Sequence, residues 1–446
     1  MELHEDYPLS SISKSLEIYY QIFTHKMNQT TKNSEFQNKV ILSAGNIARY
    51  HHTAIALQNV GILHRYLCVF SGENDIGLLK RYLSDDDRKR LQGKYDPSLD
   101  LKLVHTIPVP YLVTQGLRRS GLIGLSQANA WFNELYDSFS LPWIDQCDIL
   151  HFVTSMGLKA AKKARRLGAM LICDVRSAHI DYEDSLLREE CKQLGYKYLN
   201  SKMRSRQRVV DEYALADAFI VPSQYVKDTF LQVGFASEKF HVVPFGVNLQ
   251  RFQKDETKDE IVGKMDGKFR ILFVGNLLPG KGLHYLIRAL EKLGLPDTEL
   301  VVLGRGDADY CRYIENLASR IAVKFLGHLP QTELWMYYQK SSVFVLPTLS
   351  EGSASVVNEA MAAGLPIITT TNAGSNVRDN VDGFVIPICD ENALQEKIEY
   401  LYLNPEVRRI MGYQASQRVR DFTWEQYGQR LLDAYDKIHP MSTSKK

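Results

Sequence analysis

The sequence predicts an α/β protein built from two doubly wound parallel sheets in tandem, and three observations carry that prediction. Short, near-continuous apolar runs alternate with helical stretches along almost the whole chain, the pattern of parallel strands covered by helices on both faces. The alternation stops once, at a polar segment rich in Lys, Asp and Glu from Gln250 to Lys268, and then starts again. At 446 residues the chain is too long for one typical domain, and its 45% apolar content with balanced charge describes an ordinary folded protein.

Residues 1–38 mix polar and aromatic side chains without a strand pattern and read as an N-terminal extension. The run 39-KVILSAG-45 opens the first sheet abruptly, and the helical stretch 49-RYHHTAIALQNVG-61 and the run 64-HRYLCVF-70 complete a strand, helix, strand unit. Further strand runs follow at 147-CDILHFV-153, 169-AMLICDV-175, 218-AFIVPS-223 and 240-FHVVPFG-246, giving a first domain over 39–249. A second domain over 250–423 repeats the pattern with 270-RILFVG-275, 300-LVVLG-304, 323-VKFLG-327, 343-VFVLPT-348, 366-PIITT-370 and 384-FVIPI-388. The amphipathic stretch 424-WEQYGQRLLDAYDKI-438 comes after these strands and is expected to pack back on the first domain, and the small, polar residues 441–446 are expected to be a disordered tail. Two such domains set a cleft between their carboxyl-end loops, where ligands of these folds bind.

Composition removes several classes. Lys and Arg total 54 against 52 acidic residues, a net charge of +2, so the chain lacks the broad positive field of a nucleic-acid binder. Cys68, Cys147, Cys173, Cys191, Cys311 and Cys389 are scattered without metal-ligand or redox spacing and read as reduced thiols. No basic, apolar leader opens the chain and no apolar run nears the roughly 18 to 20 residues that span a bilayer, so a cytoplasmic protein is expected. The basic runs 159-KAAKKARR-166 and 202-KMRSRQR-208 read either as solvated helix faces or as a peripheral contact with anionic lipid or a phosphorylated acceptor.

The most informative stretch is 343-VFVLPTLSEGSASVVNEAMAAGLPIITT-370: a strand, a polar turn holding Glu351, and a helix from about Ser355 that carries Glu359. Helical spacing lets both carboxylates face one ligand at different depths. Between them the helix N-terminus offers free N–H groups and a favourable dipole, and Gly352, Ser353, Ala354 and Ser355 are small enough to admit a phosphate. Carboxylates accept paired hydrogen bonds from vicinal sugar hydroxyls, so the segment fits a nucleotide-sugar. Alternatively, both are helix-start charges favoured by the dipole.

In 272-LFVGNLLPGKGLHYLIRALEKLG-294 a strand ends at Gly275, Asn276 follows, and Lys281 sits in the turn before a helix. Such an ammonium can neutralise charge on a departing diphosphate, or it is a solvated turn lysine. It is not a phosphate loop of the NTPase kind, because neither Ser nor Thr follows it. The turn 304-GRG-306, with Gly304 and Arg305, lacks a full dinucleotide fingerprint and is expected to line the nucleotide pocket. In the first domain, Gly45 and Asn46 follow the first strand, and 172-ICDVRSAHIDYED-184 puts Asp174, Arg176 and His179 at a strand end facing the cleft, as candidates for the acceptor or the donor phosphates or as a surface ion pair and histidine. His151 inside 149-ILHFV-153 reads as a satisfied core residue. No group of Asp and His has metal-ligand spacing, so no metal or other cofactor is expected.

Taken together these segments resemble the retaining glycosyltransferases of family 4, with the GT-B fold of two Rossmann-like domains facing a central cleft. The resemblance runs from about Lys39 to Ile438 and includes Pro244, Gly246, Val247 and Asn248 at the end of the domain-joining stretch. It implies an enzyme that moves a sugar from a nucleotide-sugar, a UDP-sugar first and a GDP-sugar second, to an acceptor such as a polysaccharide, glycolipid or small molecule. By the same resemblance Glu351 contacts the donor sugar, Glu359 the ribose and Lys281 the diphosphate. Asn276 stands where many members have an arginine, so a second cation is expected from elsewhere, for example Arg305 or Arg176. The segment 353-SAS-355 replaces a more usual Phe, Gly, Leu stretch. Rival readings are a GT-B epimerase or phosphorylase, or a non-catalytic nucleotide-sugar-binding subunit.

Overall fold

The computed structural model of the chain describes residues 39–45, 49–70, 97–198, 201–249 and 267–439. The expected N-terminal extension, residues 250–266 of the polar segment, and the tail lie outside the described residues, as does Asn46.

The described residues form two sheets, of seven and six strands; the first holds β1 (Val40–Gly45), β2 (Leu63–Cys68), β3 (Val104–Thr106), β4 (Ile149–Val153), β5 (Met170–Asp174), β6 (Ala218–Val221) and β7 (Phe240–Val242). Their order is β3-β2-β1-β4-β5-β6-β7, and every pairing is parallel. Six strands form the second: β8 (Phe269–Val274), β9 (Thr298–Leu303), β10 (Ala322–Phe325), β11 (Val343–Leu346), β12 (Ile367–Thr370) and β13 (Gly383–Ile386). They run β10-β9-β8-β11-β12-β13, again all parallel. Each order reverses once, between β1 and β4 and between β8 and β11, and these switch points open crevices at the strands' carboxyl ends.

Burial on both faces explains why the strands read as unbroken apolar runs. Every residue of β1, β4, β6, β11 and β12 is buried. β3 is the strand that apolar patterning does not announce: its three residues, Val-His-Thr, are half-buried and pair, among the described residues, with β2. The run that begins at Phe240 keeps strand pairing only to Val242, and its continuation reaches the C-terminal segment, where the Val247 N–H donates to Phe422 O (2.9 Å).

Helix Trp424–Ile438 lies on helix Tyr50–Asn59 of the first domain. Trp424 stacks on His52 at 4.0 Å, and the Thr53 and Tyr427 hydroxyls are 2.7 Å apart. A Cβ on Gly246 would come within 2.6 Å of Trp424, so only glycine lets the chain pass there. None of the six cysteines forms a disulfide among the described residues. Among the described residues no helix is long and apolar enough to cross a membrane.

Candidate active site

A cavity of about 510 Å³ opens at the carboxyl ends of β8, β9 and β11, lined among others by Arg49, Lys281, Glu351, Ser353, Ser355 and Glu359. Two glycines shape the chain around it. Gly304 adopts φ +152°, and a Cβ there would lie 1.8 Å from Gly275 O, so the ends of β8 and β9 can approach only without one. Gly282 (φ +69°) would place a Cβ 2.0 Å from Pro347 O. It follows the short turn Pro279–Lys281 and opens helix Leu283–Leu293, which sets Lys281 at the mouth of the cavity.

Lys281 Nζ donates to Glu351 Oε1, joining the two charges that sequence analysis singled out separately. The loop that carries Glu351 is pinned on both sides. Its own domain accepts the Glu351 N–H at Asn372 O (2.9 Å) and the Ala354 N–H at Ala373 O (3.1 Å). From the first domain, Ser223 Oγ donates to Gly352 O (2.6 Å) and the Tyr225 hydroxyl to Ser350 Oγ (3.0 Å). Gly352 packs so closely on the Arg176 carbonyl that a Cβ would fall 1.6 Å from its oxygen.

Helix Ser355–Ala362 starts beside this loop with no side-chain cap, and its first residues, Ser355 and Val356, line the cavity. Uncapped N–H groups at a helix start attract an anion through hydrogen bonds and the dipole together. One turn on, Glu359 Oε2 accepts from the Tyr338 hydroxyl (3.0 Å). Tyr338 is fully buried on helix Gln331–Gln339; burial, with the Glu359 carboxylate adding to it, holds its hydroxyl protonated far above the usual range. It is therefore a permanent donor that steadies Glu359.

Gly275, Asn276, Gly304, Ser353 and Ala354 also line the cavity, whereas Arg305 does not: it is exposed, and its backbone carbonyl accepts from the Leu277 N–H (2.9 Å). Among the described residues a further cation lines the cavity, Arg49, which sequence analysis did not single out. It precedes helix Tyr50–Asn59 and stacks over the Phe245 ring at 4.3 Å. Its position after β1, at the first sheet's switch point, was the available signal. Burial lowers its pKa from the usual arginine value, but from so high a start that it remains charged. His328, Leu329 and Leu334, beyond β10, form a further wall that the sequence did not mark.

The first-domain candidates divide. Gly45 (φ +53°) packs on Met156 Sδ, 2.5 Å from where its Cβ would sit, away from the Lys281 cavity. Asp174 is buried and meets His151 Nε2 (3.2 Å), while His151 Nδ1 meets the Tyr435 hydroxyl (2.7 Å), so His151 is the satisfied core residue expected. Asp174 and His179 do not reach the cleft as expected. His179 is buried against Phe230 and Tyr213, with ring centroids at 5.0 and 5.3 Å, and its Nδ1 accepts the Asp181 N–H (3.3 Å) to cap helix Ile180–Gln193. Arg176 lines a second cavity, in the first domain.

Much of the basic surface is committed internally. Lys159 pairs with Glu134, Arg165 with Asp217, Arg206 with Asp181, and Arg208 with Glu134 and Asp137. Among the described residues no three His, Cys, Asp or Glu side chains group as metal ligands.

Comparison with known proteins bears directly on this cavity. The profile of Glycosyltransferase Family 4 matches residues 83–251, and that of Glycosyl transferases group 1 matches residues 254–418, the domain that holds Lys281, Glu351 and Glu359. The chain belongs to the GT-B glycosyltransferases of group 1. This transferase is 27% identical, over 54% of its length and 67% of the relative's, to the GDP-mannose-dependent monoacylated alpha-(1-6)-phosphatidylinositol monomannoside mannosyltransferase of Corynebacterium glutamicum. With the capsular polysaccharide biosynthesis glycosyltransferase CapM of Staphylococcus aureus it shares 30% identity over 45% of its own chain and 54% of CapM. Its fold matches HepE of Anabaena, solved in complex with UDP and glucose, with a TM-score of 0.58 at 16% identity over 89% of this chain and 99% of that one.

Proposed function

We propose that the transferase uses a nucleotide-sugar donor, a UDP-sugar first and a GDP-sugar second, and transfers the sugar with retention at the anomeric carbon. One observation carries the reading: Lys281, Glu351, Glu359 and an uncapped helix start converge on one cavity. The diphosphate would lie on the helix N–H groups between Lys281 and Arg49, the ribose on Glu359, and the sugar hydroxyls on Glu351. The acceptor hydroxyl then attacks the anomeric carbon as the bond to the diphosphate breaks, and the hydroxyl proton passes to the departing phosphate oxygen. Lys281 and Arg49 stabilise the charge that grows there.

HepE, of the same fold, holds UDP, which supports a uridine donor, while the mannosyltransferase relative is named for GDP-mannose. Six cysteines without a disulfide support a reducing, cytoplasmic setting. Lys162 and Arg166, both exposed, would be the cations to meet an anionic membrane surface.

The test is a thermal-shift screen of UDP-, GDP- and ADP-sugars, since a ligand at a hundred times its Kd stabilises by about 2.7 kcal/mol. The anomeric configuration of the product, read by NMR, then decides retention. No shift with any nucleotide-sugar overturns the donor assignment, and an inverted product overturns the retaining mechanism.

A further inference from the structure

A second cavity, of about 430 Å³, opens in the first domain at the carboxyl ends of β4 and β5. Asn133, Ser155, Arg176 and Glu183 line it together with the rings of Phe132 and Tyr213. It adjoins the donor side, because Arg176 on its wall is the residue whose carbonyl touches Gly352, next to Glu351.

Two features mark it as built for a ligand. The first is Arg176, whose Nε is buried with no hydrogen-bond partner among the described residues. A buried donor is normally satisfied, and a buried cationic one more stringently so. Nearby charge does not supply the partner. Arg49 is close enough for the two guanidinium groups to repel, Asp174 meets His151 at 3.2 Å, and Glu183 already has an interaction of its own.

The second feature is the turn at the end of β4. Ser155 is a non-glycine residue in the left-handed region, at φ +74°. Such a conformation persists only when its surroundings enforce it. Fully buried Glu212 does so, accepting the Ser155 N–H (2.5 Å) and the Gly157 N–H (2.9 Å), while Arg208 Nε donates to Ser155 O (2.9 Å). The turn holds the Ser155 hydroxyl on the cavity wall, where Asn133 Nδ2 donates to it (3.2 Å).

A fixed hydroxyl and amide beside aromatic rings suit a sugar, and a guanidinium with an unsatisfied Nε suits an anion. We propose that this cavity binds an acceptor sugar that carries a phosphate or carboxylate, with Arg176 holding the anionic group and Ser155 and Asn133 the sugar hydroxyls. The assignment rests on the transferase reading above, since it places the acceptor beside the donor's sugar.

The test measures melting temperature with UDP or GDP present, whichever binds, and then with glucose 6-phosphate, glucuronate or methyl glucoside added. An anionic sugar should raise the melting temperature further and the neutral methyl glucoside should not. A response to glucose 6-phosphate alone assigns phosphate, and one to glucuronate alone assigns carboxylate. Arg176→Gln should weaken the anionic response on the order of tenfold or more, Arg176→Lys should keep part of it, and both should keep the full nucleotide response, which also reports that they are folded. Equal responses to all three sugars, no response to either anionic one, or an undiminished response in Arg176→Gln overturns the proposal. Failure of the donor reading is distinct, because it appears as no nucleotide response in the wild type.

Discussion

Lys281 and Glu351 neutralise each other across the mouth of the donor cavity, their side chains 16% and 32% exposed. Each of the two charges assigned above to the donor is thus held by the other. In the proposed donor complex this pair is exchanged for diphosphate on the lysine and sugar hydroxyls on the carboxylate, so each charge keeps a polar partner.

That pairing makes separable kinetic claims. Glu351→Ala releases Lys281 from its carboxylate, so the variant should bind UDP at least as tightly as the wild type while losing transfer. Lys281→Ala should lower kcat, on the order of a hundredfold or more, because diphosphate charge grows as the sugar bond breaks. Titration calorimetry with UDP beside turnover measurements checks both. Weaker UDP binding in Glu351→Ala would show that the carboxylate does not compete with the nucleotide for Lys281.

Glu359 makes a different contribution, because a carboxylate on ribose hydroxyls acts in ground state and transition state alike. Glu359→Ala should raise the donor KM with kcat largely kept. Tyr338→Phe removes only the hydroxyl that steadies Glu359 and should do the same more mildly, by about three- to tenfold. A fall in kcat without a change in KM in either variant would move Glu359 from nucleotide binding into the chemical step.

The donor site reads from sequence where its parts are local. Glu351, the helix start and Glu359 lie within nine residues of one another, and Lys281 sits in a turn bounded by Gly280 and Gly282. What sequence could not show is what long-range folding adds. Arg49 comes from the other domain, and Tyr338 meets Glu359 from a neighbouring helix. β3 escaped notice because a strand of three half-buried residues has no apolar run. His179 was misplaced for a local reason: five residues past the end of β5 the chain has already turned into a helix cap, and aromatic rings cover the imidazole.

Arg49 should matter to the reaction although it belongs to the domain opposite Lys281. In the proposed donor complex it supplies the second phosphate contact that Asn276 cannot make, so Arg49→Met should reduce kcat/KM for the donor by about tenfold or more. Arg305→Met, removing an exposed cation outside the cavity, serves as the control and should stay near the wild type. Equal effects of the two substitutions would show general electrostatics rather than a contact.

In the proposed donor complex Lys281, Arg49 and the helix N–H groups surround the diphosphate, so turnover should not depend on a divalent ion. The rate in EDTA should equal the rate in magnesium or manganese. Activity that disappears in EDTA and returns with either ion would mean that these cations are insufficient.

His179 supplies a pH test of the first domain. Burial lowers its pKa from 6.5, with Asp181 opposing the shift, so the native state holds the ring neutral where an unfolded chain would protonate it. Between pH 6.5 and the lower native value the unfolded state binds more protons, and stability therefore rises with pH across that window. The contribution is fully present above pH 6.5 and is lost as the pH falls towards the native value. His179→Asn keeps a short side-chain acceptor for the Asp181 N–H but does not titrate. His241 and His284 are also lowered by burial, but they are shared by both proteins and cancel in the comparison. The variant should therefore melt well below the wild type at about pH 7.5, with the gap narrowing as the pH falls to about 5. A gap that stays constant over that range would show that the imidazole acts through packing alone and that its proton plays no part in stability.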